Sequence, residues 1–173
     1  TKVGSKPQQK IIARILEPKS LKGTAVLTVT DGETQSRWIY IPSSKQVRRV
    51  SGGNESSAPI LGSELSTEDL DLSQIDGAKA KIVARGNGLV TIETRISNKN
   101  SAYSKCVAEF DNKTHLMRSA ECADKKGVAF KRISISGYRK KGAISRPIEM
   151  KIENLQSKRY TRIIFRDHKL NTG

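Results

Sequence analysis

The fold is decided by residues 103–136, whose sequence is YSKCVAEFDNKTHLMRSAECADKKGVAFKRISIS. Apolar and β-branched residues recur here in three runs that two short polar turns separate. The runs are Tyr103–Phe110, His115–Glu121 and Val128–Ser136, and the turns are Asp111-Asn112-Lys113 and Asp124-Lys125-Lys126-Gly127. Strands that are joined by such short turns must be antiparallel. This stretch therefore predicts a meandering antiparallel sheet.

The same pattern continues on both sides of this stretch. Further runs with strand character are Lys10–Leu16, Gly23–Thr30, Arg37–Ile41, Gln46–Val50, Lys79–Ala84, Leu89–Ile96, Ile144–Glu153 and Arg159–Asp167. No segment shows helical periodicity over three turns. We therefore expect one mainly β domain over residues 10–173, built as a strongly curved antiparallel sheet with little helix, after a flexible lead-in at residues 1–9.

Residues 51–78 differ from the rest of the chain. They are rich in Gly and Ser, and the part between Asn54 and Ala78 contains six acids and no base. Ser66 is a suitable N-cap for a short helix that contains Glu68 and Asp69. A connection of this length exceeds the ordinary ~12–15 residues and is often functional. We predict that it is a lid-like loop.

The chain is strongly basic. Its 173 residues include 32 Lys and Arg against 17 Asp and Glu, which gives a net charge of +15. That charge predicts an anionic partner, either nucleic acid, an anionic membrane surface or an anionic lipid. Most bases stand singly among apolar residues, which favours a solvated sheet face over a dedicated anion site. No apolar run approaches the ~18 residues of a membrane-spanning helix.

Few residues suggest other chemistry. The chain lacks the nucleophile, phosphate-loop and zinc-protease motifs, so we predict that it is not an enzyme and needs no cofactor. His115 and His168 stand outside any metal-ligand spacing, so we predict no metal site. Nucleic-acid binding needs stacking aromatic residues on a basic surface. Aromatic residues are only 5% of the chain and are scattered, so we expect no nucleic-acid partner.

The pairing of the two cysteines, Cys106 and Cys122, stays open. If Phe110 pairs with Leu116 across the turn, Cys106 lies opposite Ala120, and the two thiols are diagonally offset. A disulfide needs Cβ atoms roughly 4 Å apart, so this register disfavours a bond unless a bulge intervenes. In an oxidising compartment, however, two cysteines usually pair.

Three motifs in the first 70 residues carry a resemblance to a known family. They are LKGTAVL at residues 21–27, RWIYIPSSKQVRRV at residues 37–50 and ILGSELSTEDL at residues 60–70. They resemble, in the same order and at similar distances, the motifs of the outer-membrane lipoprotein-sorting family, the LolA-like domains. Pro18 also falls where that family has a proline, and the resemblance extends over nearly the whole chain from about Lys10.

The resemblance implies a fold and a function. The fold would be an open half-barrel whose concave apolar side is closed by a lid. The function would be that of a periplasmic carrier or chaperone, with its signal peptide removed, that shelters lipid or lipoprotein acyl chains on their way to the outer membrane. A membrane transporter would then be a partner. A periplasmic sensor or adaptor with the same fold is the alternative, and nucleic-acid binding is a weaker one.

Strand faces and the lid motif suggest the residues of the site. Apolar residues that could line the concave face are Leu27, Val29, Trp38, Tyr40, Val90, Ile92, Ile148, Met150, Ile152, Ile163 and Phe165, although ordinary core packing is the favoured explanation for any single one of them. The lid residues would be Ile60, Leu61 and Leu65. Arg48 and Arg49 would contact an anionic head group or an acidic partner, unless they pair with the acidic residues of 64–71.

Overall fold

The computed structural model describes residues 9–31, 34–50, 59–60, 62–70, 80–97, 99 and 101–166. These residues form thirteen strands, one four-residue helix and a single 3-10 turn at Lys19–Leu21. The strands and the helix, in chain order, are β1 (Gln9–Arg14), β2 (Ala25–Asp31), β3 (Thr34–Ile41), β4 (Gln46–Val50), α1 (Thr67–Leu70), β5 (Ala80–Gly86), β6 (Leu89–Arg95), β7 (Lys105–Asp111), β8 (Met117–Ala123), β9 (Ala129–Ile135), β10 (Tyr138–Lys141), β11 (Ile144–Pro147), β12 (Glu149–Asn154) and β13 (Tyr160–Ile164). The predicted mainly antiparallel fold with little helix is confirmed.

The strands form two sheets and a ribbon, and every pairing between them is antiparallel. The first sheet has the order β1-β2-β3-β4, and the second has the order β13-β12-β9-β8-β7-β6-β5. Strands β10 and β11 form a separate two-stranded ribbon between β9 and β12. Most sequential neighbours pair because the connecting turns are short, but β9 pairs with β12 across the ribbon.

The ribbon corrects one of the predicted strands. The run Ile144–Glu153 was expected to be continuous, but it is divided into β11 and β12 at Pro147. The amide of Ile148, the next residue, donates to the carbonyl oxygen of Gly137 at 2.9 Å, which extends the pairing of the ribbon by one step. Proline has no N–H to donate to a ladder, which suits its place at the end of β11. The partner strand β10, at Tyr138–Lys141, is not among the predicted strands.

Two predicted segments fall largely outside the described residues. Of the lead-in at residues 1–9, only Gln9 is described, and it begins β1. Of the loop at residues 51–78, the structure describes 59–60 and 62–70, and this part contains the predicted short helix as α1. We call residues 59–70 the cover segment.

The turn between β7 and β8 is organised by one carboxylate. Asp111 Oδ1 accepts hydrogen bonds from the backbone amides of Lys113 and Thr114 at 3.1 and 2.9 Å, and Arg118 donates to Oδ2 at 3.0 Å. The Thr114 amide and the Arg118 guanidinium lower the pKa of the Asp111 carboxyl well below its ordinary value of 3.8. Hydrogen bonds to the ionised form have this effect.

We expect the Asp111→Asn variant to be less stable than the wild type at neutral pH and to converge with it in acid. The pKa of Asp111 is lower in the folded than in the unfolded chain, so its stabilising effect is full above the unfolded value and is lost as pH falls toward the folded value. The difference between the melting temperatures of the two proteins should be the same at every pH above about 5, and it should shrink as pH falls below about 4. A difference that stays constant down to pH 3 would refute this.

The register across this turn corrects the predicted position of the cysteines. Phe110 pairs with Met117, and a bulge lies between Glu109 and Phe110. The bulge moves the pairing so that Cys106 lies directly opposite Cys122, with their Cα atoms 4.1 Å apart and a disulfide between them. The predicted register, with Cys106 opposite Ala120, was therefore wrong by two residues. One arises at the turn, where Phe110 pairs with Met117 instead of Leu116, and the bulge adds the other.

The hydrophobic core lies on one face of the seven-stranded sheet, which we call the inner face. Its central residues are Ala108, Met117, Ala120, Ile133, Met150 and Ile152, and Val26 of β2 joins them from the four-stranded sheet. Ile152 is 0% exposed. The opposite face of the large sheet is polar and carries cross-strand ion pairs such as Arg132–Glu121 at 2.8 Å and Arg162–Glu149 at 2.7 Å. The bases on this face thus form a solvated surface, as their alternation predicted.

Candidate functional site

The cover segment packs on the inner face and completes the core. Pro59 and Ser66 form an antiparallel bridge, and the amide of Ile60 donates to the carbonyl oxygen of Leu65 at 2.7 Å. This short loop brings the side chains of Ile60 and Leu65, which are 6% and 8% exposed, into the same cluster as the sheet residues. Two apolar side chains of the cover segment therefore occupy the space above the sheet.

Asp69, in α1, is the polar centre of the contact between the cover segment and the sheet. Its Oδ2 accepts from the amide of Ser66 at 2.6 Å, from the Ser66 hydroxyl at 2.9 Å and from Lys131 Nζ on β9 at 2.9 Å. Its Oδ1 accepts from the hydroxyl of Tyr103. The side chains of Asp69 and Lys131 are 0% and 7% exposed, so the ion pair is withdrawn from water. A buried carboxylate and a buried ammonium are tolerated because each satisfies the other.

Aromatic rings surround the buried lysine. Lys131 Nζ lies 5.5 Å from the ring centre of Tyr103 and 5.8 Å from that of Phe130, so both rings contribute cation–π attraction. Burial, followed by the nearby Asp69 carboxylate, raises the pKa of the Tyr103 phenol far above its ordinary value of 10.0. The phenol therefore remains a hydrogen-bond donor to Asp69 at any physiological pH.

Two further acids of the cover segment also contact the sheet side. Glu64 accepts from Arg159 Nε at 2.7 Å and from Asn154 Nδ2 at 3.1 Å, and its amide donates to Thr161 Oγ1 at 2.8 Å. Glu68 accepts from the hydroxyl of Ser101 and from the amide of Ala102 at 3.1 Å. Together with Asp69, these acids form what we call the latch: three carboxylates of the cover segment that bind groups on or beside the large sheet.

Comparison with known proteins identifies this architecture. A family model described as "Uncharacterized protein" matches residues 7–173. The structure of a putative outer membrane lipoprotein-sorting protein domain from Vibrio parahaemolyticus is 28% identical, with a TM-score of 0.79, and the match covers 95% of this chain and 72% of that one. The chain belongs to the family that this model describes, and its fold is that of LolA-like, outer-membrane lipoprotein-sorting domains. No curated protein sequence matches it.

Two other solved structures share the LolA-like fold. A DUF1329 family protein from Desulfovibrio piger is 23% identical, with a TM-score of 0.81 over 96% of this chain and 72% of that chain. A LolA superfamily protein from Nitrosomonas europaea is 20% identical, with a TM-score of 0.60 over 93% of this chain and 74% of that chain. The family resemblance that the sequence motifs predicted is confirmed, and the fold is the open half-barrel of LolA-like proteins. Of these structures, the one from Vibrio parahaemolyticus is named for lipoprotein sorting.

Seven of the predicted lining residues lie on the strands of the large LolA-like sheet or directly beside them. Met150, Ile152, Ile163 and Phe165 belong to the core or pack against it. Val90 is 9% exposed and lies opposite Phe110, another residue that packs against the core. Ile92 lies opposite Ala108, while Ile148 is 38% exposed near the ribbon. Four of these seven residues therefore share the core that Ile60 and Leu65 complete.

The other four predicted lining residues occupy a different surface. Leu27, Val29, Trp38 and Tyr40 alternate along β2 and β3 with Val26 and Ile39, which face the core. Successive side chains of a strand point to opposite faces. These four residues therefore lie on the side of the four-stranded sheet that faces away from the core. Their contact with a ligand stays a prediction, as it does for the inner-face group.

The structure also places most of the predicted lid residues and the arginine pair. Ile60 and Leu65 lie in the core, while Leu61 lies outside the described residues. Arg48 donates to Gln46, and Arg49 donates to Ser36 and lies 5.8 Å from the Trp38 ring centre. The described acids of the cover segment bind the partners given above, so the proposed pairing of Arg48 and Arg49 with residues 64–71 is not found for those acids.

Sequence reasoning missed the residues that hold the LolA-like cover segment in place. Asp69 was interpreted as a helix N-terminal charge, and Lys131 as one base among many on strands. One signal was available: Lys131 alternates with Ile133 and Ile135 on β9, so a charged residue occupies an inward position. Among the described residues, no group of three His, Cys, Asp or Glu side chains could hold a metal ion, and no helix is long and apolar enough to cross a membrane.

Proposed function

We propose that this chain is a periplasmic carrier that shelters acyl chains of lipids or lipoproteins on its inner face, without catalysis, for transfer toward the outer membrane. The observation that carries the proposal is the way in which the cover segment packs on the inner face and is held there. Of its described apolar side chains, Ile60 and Leu65 pack in the core, and the contacts of Glu64 and Glu68 that help to hold it are only part-buried. Displacing it would expose a continuous apolar surface.

The physical chemistry of the inner face suits an acyl chain. Ala108 and Ala120 lie opposite each other at its centre, so the side chains beneath the cover segment are small there. Each methylene group withdrawn from water contributes about 0.8 kcal/mol, and a chain of a dozen or more methylenes could compete with the two side chains it replaces. No catalytic group is needed for this, because binding is carried by burial.

Two observations support the compartment. The Cys106–Cys122 disulfide is of the kind that persists in an oxidising compartment such as the bacterial periplasm. The Vibrio parahaemolyticus relative is named for sorting of outer membrane lipoproteins. In this compartment a membrane transporter would be the partner that loads the carrier.

We expect the delipidated chain to bind an environment-sensitive fluorescent fatty acid at one site, and to take up phospholipid or a triacylated lipopeptide in native mass spectrometry. Replacing Glu64 with glutamine weakens the contacts to Arg159 and Asn154 and should favour opening of the cover segment. Because the Arg159 side chain is 67% exposed, we expect only about a two- to fivefold gain in probe affinity. Ala120→Leu places a larger side chain at the centre of the inner face and should abolish binding of the fluorescent fatty acid.

The matched control is Glu109→Gln, because Glu109 bonds to Ser119 on the polar face and makes no contact with the cover segment. This variant should bind the probe as the wild type does. Thermal melting of each variant separates loss of binding from loss of folding. If neither the wild type nor Glu64→Gln takes up any of the three ligands, the carrier proposal is wrong.

A second candidate is a periplasmic sensor or adaptor with the same fold. It is favoured by the completeness of the packing, since Ile152 is 0% exposed beneath the closed cover segment. In that case the cover segment is a permanent part of the core. The same experiment distinguishes the two, because an adaptor would bind no acyl chain even when the latch is weakened.

A further inference from the structure

The four-stranded sheet has a face that folding does not use, which we call the free face. The register places Ile12, Leu27, Trp38 and Arg49 in one line across β1, β2, β3 and β4. Residues directly opposite each other in antiparallel strands share a face. The line through Val26 and Ile39 occupies the other face and packs into the core. The free face therefore points away from the core.

The free face is apolar and exposed. Ile12 is 68% exposed, Val47 is 65% exposed and Tyr40 is 37% exposed. Ile12 and Val47 lie on the two edge strands, and Leu27, Trp38 and Tyr40 between them continue the apolar surface across the sheet. An apolar face of this extent is typical of a binding surface. The neighbouring Trp38 adds a large ring to the same surface.

The edges of the free face are basic. Lys10, Arg14 and Arg49 lie on it, with Asp31 as its one acid among the described residues. At the end beyond Arg14, the turn that carries Lys19 and Lys22 meets the turn that carries Lys45. A Cβ on Gly23 of the first turn would be only 3.3 Å from Pro42 Cγ of the second, which shows how closely the two turns pack. Glu17 is the only acid in these two turns. Six bases thus surround the apolar centre, against two acids.

Trp38 and Arg49 are arranged in the way that a lipid interface favours. The guanidinium of Arg49 lies 5.8 Å from the centre of the Trp38 ring and also donates to Ser36 at 3.2 Å. Trp and Tyr prefer the level of lipid head groups because their rings have an apolar body and a polar edge. Basic side chains beside them contact anionic head groups.

We propose that the free face docks on an anionic lipid membrane. The charge pattern decides against a second copy of this chain, because two such faces would bring like charges together. The exposed aliphatic side chains decide against a purely acidic protein partner, which would leave Ile12 and Val47 without apolar contacts. This inference is independent of acyl-chain carriage, since it uses the opposite side of the molecule from the inner face.

The test uses the full chain and the fluorescence of Trp38, its only tryptophan. With phosphatidylglycerol-containing vesicles we expect a blue shift of the emission and co-sedimentation, both of which weaken as salt rises. Pure phosphatidylcholine vesicles should give neither. The triple variant Lys10→Gln, Arg14→Gln, Arg49→Gln should bind anionic vesicles about 100-fold more weakly, because each base near the surface contributes about fivefold. The double variant Ile12→Ser, Val47→Ser should also bind more weakly.

The matched control removes the same charge elsewhere. Lys113, Lys126 and Lys158 are exposed residues in turns of the large sheet. Replacing these three with glutamine should change anionic vesicle binding by less than about fivefold. All mutated side chains are exposed, so the variants should fold, and their melting curves verify this. Membrane docking by this face is excluded if the wild type ignores anionic vesicles, if both triple variants lose binding equally, or if the chain self-associates through this face.

Discussion

We expect the Lys131→Met variant to lose about 3–5 kcal/mol of its free energy of unfolding. Methionine keeps most of the volume of the lysine side chain but leaves the Asp69 carboxylate buried at 0% exposure without its cation. Removing one member of a buried ion pair costs more than the pair contributes, because the remaining charge stays desolvated. Since small domains have only about 5–15 kcal/mol of stability, urea denaturation should show a large shift of the midpoint.

A double variant and a surface control make this prediction specific. Lys131→Met combined with Asp69→Asn removes both charges and should regain part of the stability that Lys131→Met loses. The double variant should therefore lose less stability than the sum of the two single losses. Lys113→Met, at an exposed turn position, should cost less than about 0.5 kcal/mol. If Lys131→Met costs no more than this control, the latch does not stabilise the fold.

The second large effect is expected from the disulfide. Reduction of the Cys106–Cys122 bond should lower the free energy of unfolding by about 3 kcal/mol, because it closes a loop of 16 residues in the unfolded chain. Cys106→Ala should reproduce the loss, and the double Cys106→Ala, Cys122→Ala variant should cost little more, since either change breaks the same bond. Denaturation with and without a reductant measures this.

The control for the disulfide is internal. A reductant should destabilise the wild type and leave the Cys106→Ala variant unchanged. Identical denaturation curves for the oxidised and reduced wild type would show that the bond contributes nothing to stability.

Much of the fold followed from local patterns. The strands of the large sheet were predicted because their alternation and the turn residues act within a few positions of each other, as at Asp111, whose carboxylate organises its own turn. The register around that turn could not be predicted. A bulge between Glu109 and Phe110 depends on how the neighbouring strands pack, and that packing is not encoded within the hairpin.

The candidate site was predictable only in part. Met150, Ile152, Ile163 and Phe165 were placed on one face because strand alternation is a short-range rule. The same rule gave no means of choosing which face of β2 and β3 turns to the core, so Trp38 and Tyr40 were grouped with residues that lie on the other side of the molecule. The choice depends on which face the cover segment and the large sheet bury.

The sequence by itself determined the class of fold, most of its strands and the family resemblance, because periodicity, turn chemistry and spaced motifs act locally along the chain. Only the tertiary structure decided the roles of Asp69 and Lys131, which are 62 residues apart and meet at 2.9 Å. It also decided that Cys106 faces Cys122 and that one sheet face remains exposed with its bases and its tryptophan. Long-range contacts are set by the burial of whole faces, and no short stretch of sequence contains both partners.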